Sequence, residues 1–299
     1  MANPSQKPGP PNVTGSGPVR LRQIALVARD LQKAKELLTS VLGTEVIYVD
    51  PQVAQWGLEN FLVAVGGEVI EVVSPTKEGT AAGRTLSKRG DGGYMVIMQH
   101  PDAEKRKQYI EKNGFAKVIF NHRDEGSVCY QYHPKGIKGG VIPELDSEFV
   151  TESNPDPLKT RFSPWHPCGP DKEAYIAGMK RNAHLSLLGV VCRLAPGDGN
   201  GEEAATQWEK IFGVPRSRDL IAFTNARIGF MRGEEGKPDG ITSISIGVNS
   251  DRRRSEIYRV AEERGLLKNN AGITWIEMFG IRWYFSLTTN SGEGSGSKL

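Results

Sequence analysis

The feature that most constrains this sequence is one plan that recurs four times along its 299 residues. Each copy has an alternating apolar segment typical of a strand, an amphipathic segment typical of a helix, a turn glycine, and further strand-like segments rich in Val, Ile and aromatic residues. The glycines that close the helical segments are Gly43, Gly114, Gly213 and Gly265. Each copy is therefore predicted to form a βαβββ module, which makes the chain α+β.

Prolines divide the four copies into two pairs. Five of them fall between the second and third copies, at Pro155, Pro157, Pro164, Pro167 and Pro170. Proline interrupts both helices and strands, so this stretch predicts a domain boundary. The expected organisation is a flexible tail over 1–19, a first domain over 20–147, a Pro-rich linker over 148–180, a second domain over 181–288 and a flexible tail over 289–299.

Composition excludes several classes of partner. The net charge of +3 and the charged fraction of 24% give no strongly basic surface, so no nucleic-acid partner is expected. No segment reaches the 18 apolar residues of a membrane span, and no apolar N-terminal stretch suggests a signal peptide. The three cysteines include no CxxC pair, which fits a reducing compartment. A monomer or a homodimer is expected.

The C-terminal tripeptide suggests a destination. Ser297, Lys298 and Leu299 form the kind of ending that a peroxisomal import receptor reads, and the Gly/Ser-rich residues before it would keep it accessible. We therefore expect a peroxisomal protein that binds this receptor, and a cytoplasmic one if the tripeptide is a chance ending.

Three segments carry a resemblance to a known family. LRQIALVARDLQKAKELL, GGEVIEVVSP and YQYHPKGIKGGVIPEL occur in the order and spacing of the vicinal oxygen chelate superfamily, the group of glyoxalases, bleomycin-resistance proteins and extradiol dioxygenases. The chain resembles its two-domain, four-module form. The resemblance implies that modules pair into two cup-shaped mixed β-sheet domains. It also implies that each module points one side chain from its first strand and one carboxylate from its last strand into the cup.

On this resemblance the first two modules supply a candidate site. Gln23 and Glu71 fall at the two positions of the first module, and Glu144 falls at the carboxylate position of the second, where Met95 replaces the usual histidine. The resemblance implies Glu71 and Glu144 as catalytic residues and Gln23, Glu71 and Glu144 as metal ligands. An all-oxygen set suits Mg²⁺ or Mn²⁺ better than Zn²⁺, and a thioether is a poor ligand for hard cations. A weakly held divalent metal and no metal at all both remain open.

The residues themselves leave other interpretations open. Glu71 lies in an apolar strand, where a buried carboxylate is costly unless it has partners, so a site is favoured. Asp146 follows Glu144 closely, which also fits an exposed sheet edge, and Gln23 could face solvent.

The second half keeps the module plan but loses the ligands. By sequence, His184 takes the first-strand position, and Phe230, Ser243 and Tyr284 take the others. This pattern disfavours a ring-cleaving oxygenase, whose iron needs two histidines and a carboxylate there. If the second module pairs with the third, Glu144 would instead lie near His184.

The predicted function is a glyoxalase-like lyase, isomerase or epimerase. Two carboxylates in one pocket can act as general base and general acid, which suits proton transfer next to a carbonyl of a small organic or acyl-thioester substrate. One alternative is a non-catalytic protein that sequesters a small molecule, which Met95 supports. Another is a metal-free lyase, isomerase or cyclase of secondary metabolism, with Glu71 or Tyr94 as proton donor.

Overall fold

The computed structural model describes residues 18–288, and the rest of the predicted tails, 1–17 and 289–299 with Ser297–Leu299, lies outside the described residues. Its strands are β1 (Arg20–Val27), β2 (Val46–Tyr48), β3 (Leu58–Val65), β4 (Glu68–Pro75), β5 (Gly92–Gln99), β6 (Val118–Arg123), β7 (Ser127–Tyr132), β8 (Ile142–Glu148), β9 (Leu185–Arg193), β10 (Arg216–Ser217), β11 (Leu220–Ala222), β12 (Arg227–Met231), β13 (Gly240–Val248), β14 (Leu267–Asn270), β15 (Ile273–Met278) and β16 (Ile281–Leu287). Its α-helices are α1 (Leu31–Leu42), α2 (Ala81–Arg89), α3 (Ala103–Lys112), α4 (Lys172–Arg181), α5 (Gly201–Phe212) and α6 (Asp251–Glu263). Short 3₁₀ helices span Pro51–Trp56 and His166–Cys168. Val19, which the sequence assigned to the N-terminal tail, is buried.

The described residues form two mixed sheets of eight strands each. The first has the order β2-β3-β4-β1-β5-β8-β7-β6 and the second the order β10-β11-β12-β9-β13-β16-β15-β14. In both, two antiparallel central strands are each flanked by a parallel neighbour. The first two modules thus share one sheet and the last two share the other. This confirms the predicted α+β fold of two cup-shaped sheets and rules out the pairing of the second module with the third.

Local sequence explains the first module. The Asp30 carboxylate accepts the backbone N–H of Lys33 and begins α1, while Gly43, at φ 64°, ends it in the left-handed conformation that glycine favours. The buried side of α1, which includes Ala34 and Leu38, packs on the outer face of the sheet. All eight residues of β1 are buried because both of its faces are covered.

The Pro-rich stretch packs against the first sheet instead of merely joining two domains. Its buried side chains pack on the inner face of the sheet, the face that bears Ala25, Leu62 and Val69; they are Trp165, Cys168, Tyr175 and Met179. Two arginines of β1 hold its backbone. Arg20 donates to the carbonyls of Thr160 and Arg161, and Arg22 donates to the Ser163 carbonyl at 2.6 Å. We call residues 157–181 the covering segment.

The outer faces of the two sheets share one apolar core. Arg106 on α3 donates to the carbonyls of Lys210 and Ile211 at the end of α5, and the Trp208 indole donates to the Lys138 carbonyl. No helix within residues 18–288 is both long and apolar enough to cross a membrane.

Candidate functional site

Strand register makes the two halves of the first sheet equivalent. Glu71 pairs with Ala25, two residues after Gln23, and Glu144 pairs with Ile97, two residues after Met95. Because successive side chains on a strand alternate between faces, the members of each pair lie on one face. Gln23, Glu71, Met95 and Glu144 therefore occupy corresponding positions on the inner face, as the sequence predicts.

Glu71 is held by two side-chain amides. Gln23 Nε2 donates to its Oε2 at 2.9 Å and Asn60 Nδ2 donates to its Oε1 at 2.7 Å. The Asn60 amide is itself oriented, because its oxygen accepts the backbone N–H of Asp50. Burial raises the pKa of Glu71 to about 7 against the lowering effect of these hydrogen bonds, and the nearby Glu144 carboxylate raises it further. Since neither partner is a cation, Glu71 remains basic for a carboxylate.

The orientation of Gln23 is fixed from its other end. Its Oε1 accepts the indole N–H of Trp165 at 2.8 Å, and Gln23 is only 2% exposed. A rotated amide would set its NH₂ against the indole N–H and its oxygen against the Glu71 carboxylate, which is unfavourable at both contacts. Gln23 is therefore an inward-facing residue whose carbonyl oxygen is already used.

These contacts do not fit the metal site that the resemblance implies. A Gln23 ligand would have to turn its oxygen from Trp165 towards Glu71, where the amide NH₂ now lies. Met95 at the fourth position offers a thioether, which hard cations bind poorly. The set of Gln23, Glu71 and Glu144 is thus arranged to hold an oriented carboxylate rather than a cation.

Glu144 lies in an interior strand, since β8 is placed between β5 and β7. Glu144 is 5% exposed and Asp146 is fully buried, so the exposed-edge interpretation is wrong. The two carboxyl groups hydrogen-bond to each other, and Gln131 on β7 also binds Glu144. Burial raises the pKa of both groups. The Glu144 and Glu148 carboxylates raise the pKa of Asp146 further, whereas His166 and the hydrogen bonds from Gln131 and Asp146 lower that of Glu144.

A thiol and an imidazole lie beside the Glu144 and Asp146 carboxyl groups. Ligand atoms of Cys129, Glu144 and Asp146 all lie within 4.8 Å of one another. His166 of the covering segment places its Nε2 3.5 Å from Asp146 Oδ2, and its Nδ1 lies 3.0 Å from Glu148 Oε1.

Aromatic residues meet above the cup. The rings of Trp56 and Phe120 contact edge to face at 5.4 Å, although they belong to segments next to opposite edges of the sheet.

Tyr94 lies at a bulge of β5, where Ala25 pairs with Met95 and Leu26 pairs with Gly93. Burial, followed by the Glu71 carboxylate, raises the pKa of Tyr94 to about 12.

The second sheet has no corresponding acids. Its bulges repeat those of the first sheet, so the equivalents of Gln23 and Glu71 are Gly189 and Gly229. Ser243 matches Met95 and Tyr284 matches Glu144, as the sequence suggests.

Two residues proposed for the second site fall elsewhere. His184 precedes β9, next to Arg253, and Phe230 is one residue beyond the position of Glu71. A one-residue offset moves a side chain to the other face of a strand. With the first two modules in one sheet, His184 has no part in the first site.

Sequence reasoning missed four residues of the first site: Asn60, Cys129, Trp165 and His166. Asn60 and Cys129 lie on strands at the inward parity, and that parity is a signal that could have found them. Trp165 and His166 come from the Pro-rich stretch and carry no such signal, because their contacts depend on how that stretch folds back.

Comparison with known proteins supports the fold. No family model and no curated protein matches the sequence. Two solved methylmalonyl-CoA epimerases, from Streptomyces coelicolor and Mycobacterium tuberculosis, are each 22% identical to the chain. They match 45% and 46% of this chain and 100% and 91% of their own, with TM-scores of 0.40 and 0.39.

One solved structure matches across both sheets. A variant of 4-hydroxymandelate synthase from Streptomyces coelicolor is 13% identical, and the match covers 85% of this chain and 78% of that one with a TM-score of 0.60. At this identity the likeness establishes the fold alone. The chain has the two-domain fold of the vicinal oxygen chelate superfamily, to which that synthase belongs.

Proposed function

We propose that this chain is an enzyme of the vicinal oxygen chelate type that moves a proton at a carbon next to a carbonyl, with Glu71 as the base. The observation that carries the proposal is the position of Glu71 on the inner face, held by Gln23 and Asn60 and near the equivalent carboxyl of Glu144. A general base must be oriented and must remain basic at working pH. Two neutral amide donors meet both needs, whereas an arginine partner would keep the carboxylate a weak base.

Glu144 is proposed to act on the oxygen side of the substrate. When a proton leaves the carbon, negative charge develops on the carbonyl oxygen, and a donor on the opposite wall stabilises that charge. Glu144 lies on that wall with its Oε2 buried, and within residues 18–288 this oxygen has no hydrogen-bond partner apart from the neighbouring Asp146 carboxyl. The reaction class is therefore that of a lyase, isomerase or epimerase.

The proposed substrates are small organic carbonyl compounds or acyl thioesters. The covering segment packs on part of the inner face, so the proposed reacting group is compact. Two of the similar solved structures are named methylmalonyl-CoA epimerase, so a methylmalonyl thioester is a natural first probe.

Proton–deuterium exchange tests the proposal directly. Pyruvate, hydroxyacetone and the propionyl and methylmalonyl thioesters of N-acetylcysteamine would be incubated with the protein in D₂O and followed by proton NMR. Exchange above the enzyme-free rate is expected for at least one probe. Glu71→Gln should lower that rate by about 10²–10⁴-fold, the usual contribution of a general base. Glu59→Gln, an exposed change on β3, should leave it unaltered. Exchange by Glu71→Gln at the wild-type rate would contradict the proposal.

A binding protein is the second candidate, and Met95 at the fourth position of the site favours it. Saturable binding of a probe with no exchange in the wild type would support sequestration. A third candidate is a metal-free lyase, isomerase or cyclase with Tyr94 as proton donor, since this hydroxyl keeps its proton to high pH beside Glu71. A Tyr94→Phe variant that loses turnover but retains exchange would support that role.

We propose a peroxisomal location from Ser297-Lys298-Leu299, through recognition by the import receptor. A fluorescent protein carrying residues 289–299 should collect in peroxisomes, and the same fusion without Leu299 should stay diffuse. Diffuse signal from both fusions would refute the assignment.

A further inference from the structure

We infer that Cys129, Glu144, Asp146 and His166 form a divalent cation site, distinct from the positions that the superfamily resemblance implies. It uses Glu144 but neither Gln23 nor Glu71. Its remaining members lie on β7, on β8 and in the covering segment. The site would tie this segment to the sheet through His166.

The distances suit a single ion. The donor atoms of Cys129, Glu144 and Asp146 lie within 4.8 Å of one another, and His166 Nε2 is 3.5 Å from Asp146 Oδ2. Zinc binds sulfur at about 2.3 Å and nitrogen or oxygen at about 2.0–2.2 Å, so two donors on one ion stand roughly 3–4 Å apart. A small contraction would bring the donors of Cys129, Glu144 and Asp146 onto one cation. His166, which is close to Asp146 but not to all three, would join them by a further movement of its side chain.

Unpartnered oxygens supply a second, independent reason. Asp146 is fully buried, and apart from the contact between the two carboxyl groups, both of its oxygens and Glu144 Oε2 lack a hydrogen-bond donor among the described residues. Glu148 adds a further acidic group beside them. A buried carboxylate without a partner is costly, and a bound cation removes that cost.

His166 is oriented as a ligand. Glu148 Oε1 accepts the backbone N–H of His166 at 2.6 Å and lies 3.0 Å from its Nδ1. With the ring proton on Nδ1, the lone pair of Nε2 points towards Asp146. Metal-binding histidines usually donate their other ring N–H to a carboxylate in this way.

The donor types select the metal. One thiolate, one imidazole and carboxylate oxygens match Zn²⁺, whereas Mg²⁺ requires an all-oxygen set. The site shares Glu144 with the proposed reaction, and a Glu144 that binds the ion no longer carries the proton proposed above, so metal binding and the donor role of Glu144 exclude each other. The readout below is independent of turnover.

Cobalt titration tests the site, because Co²⁺ replaces Zn²⁺ and its bond to a thiolate gives a near-ultraviolet charge-transfer band. The full-length protein, stripped with a chelator, would be titrated with Co²⁺ and then with Zn²⁺. One equivalent of Co²⁺ is expected to bind with this band, and Zn²⁺ should displace it. Cys129→Ser should remove the band, while Cys168→Ser, a buried cysteine of the covering segment outside the four ligands, should keep it.

Affinity measurements cover the case in which Cys129→Ser does not fold. His166 is partly exposed, so His166→Gln should fold and bind Co²⁺ at least 10-fold more weakly. Glu148→Gln should weaken binding by about 10–100-fold, the usual cost of losing such a hydrogen bond. Absence of the band in the wild type, its retention in Cys129→Ser, or unchanged affinity in His166→Gln would overturn the assignment. None of these outcomes depends on the exchange reaction of Glu71.

Discussion

The indole N–H of Trp165 donates to Gln23 Oε1 at 2.8 Å, and this bond decides which end of the Gln23 amide faces Glu71. The two residues are 142 positions apart, one in the covering segment and the other in β1. Through this contact the covering segment acts on the hydrogen bonding of the proposed base. Trp165 is thus a positioning residue in the account given above.

Trp165→Phe should weaken the hydrogen bonding of Glu71 and lower the stability of the fold. The change leaves a buried Gln23 oxygen without its donor, which costs about 1–3 kcal/mol in free energy of unfolding, and lets the amide rotate away from Glu71. Trp283→Phe is the matched control, because Trp283 is a buried indole of the second sheet that donates to the Met278 carbonyl. Both variants should lose stability in a urea titration. Only Trp165→Phe should shift the pH profile of exchange, and equal profiles would remove its positioning role.

Much of the first sheet is predictable from the sequence because the signal is local. The alternation of β1 and β4 sets the parity of Gln23 and Glu71, and the repeat of the module plan assigns Glu144 to the equivalent place. Each of these inferences needs only the two-residue alternation of side chains along a strand.

The rest of the site depends on interactions that a local pattern does not contain. Trp165 and His166 reach the cup because Arg20 and Arg22 hold the backbone of the covering segment. In the second sheet the inward positions that match Gln23 and Glu71 are Gly189 and Gly229, which have no side chain for a sequence pattern to mark, so alignment by pattern placed His184 where Gly189 belongs.

Glu71 should make stability depend on pH in a defined direction. Its pKa rises from an ordinary value of 4.5 to about 7 on folding. Between these two pH values the folded state therefore binds more protons than the unfolded state. Its contribution is therefore fully present below pH 4.5 and is lost as the pH rises towards about 7. Between pH 5 and pH 8 the wild type should lose about 1–3 kcal/mol more free energy of unfolding than Glu71→Gln. Parallel curves for the two proteins would contradict the raised pKa.

The same ionisation should appear in catalysis. Glu71 must be ionised to accept a proton. The exchange rate per enzyme, measured at low substrate concentration, should therefore increase with pH up to about 7 and stay constant above it. The control variant Glu59→Gln should show the same increase of exchange rate with pH when rates are measured at constant ionic strength. An exchange rate independent of pH between 5 and 8 would oppose Glu71 as the base.

The buried ion pair of Arg20 and Glu68 should be a main support of the covering segment. Its atoms are 2.5 Å apart, and each side chain is 4% exposed. Arg20→Met or Glu68→Gln leaves a buried charge unpaired and should cost about 3–5 kcal/mol. The double variant should cost less than the sum by more than about 1 kcal/mol, as measured by denaturant titration. Lys107→Met, at a partly exposed pair on α3, should change little. Additive costs would show that the pair is not coupled.

The most direct test of Glu71 as the tuned base is a carbon-13 NMR titration of its carboxyl group in chelator-treated protein labelled at glutamate. The resonance that disappears in Glu71→Gln identifies the group. A midpoint near pH 7 is the predicted result, because burial raises the pKa of this group to about 7. A midpoint at the ordinary value of 4.5 would contradict the account, since the cup would then hold a carboxylate no more basic than one on the surface.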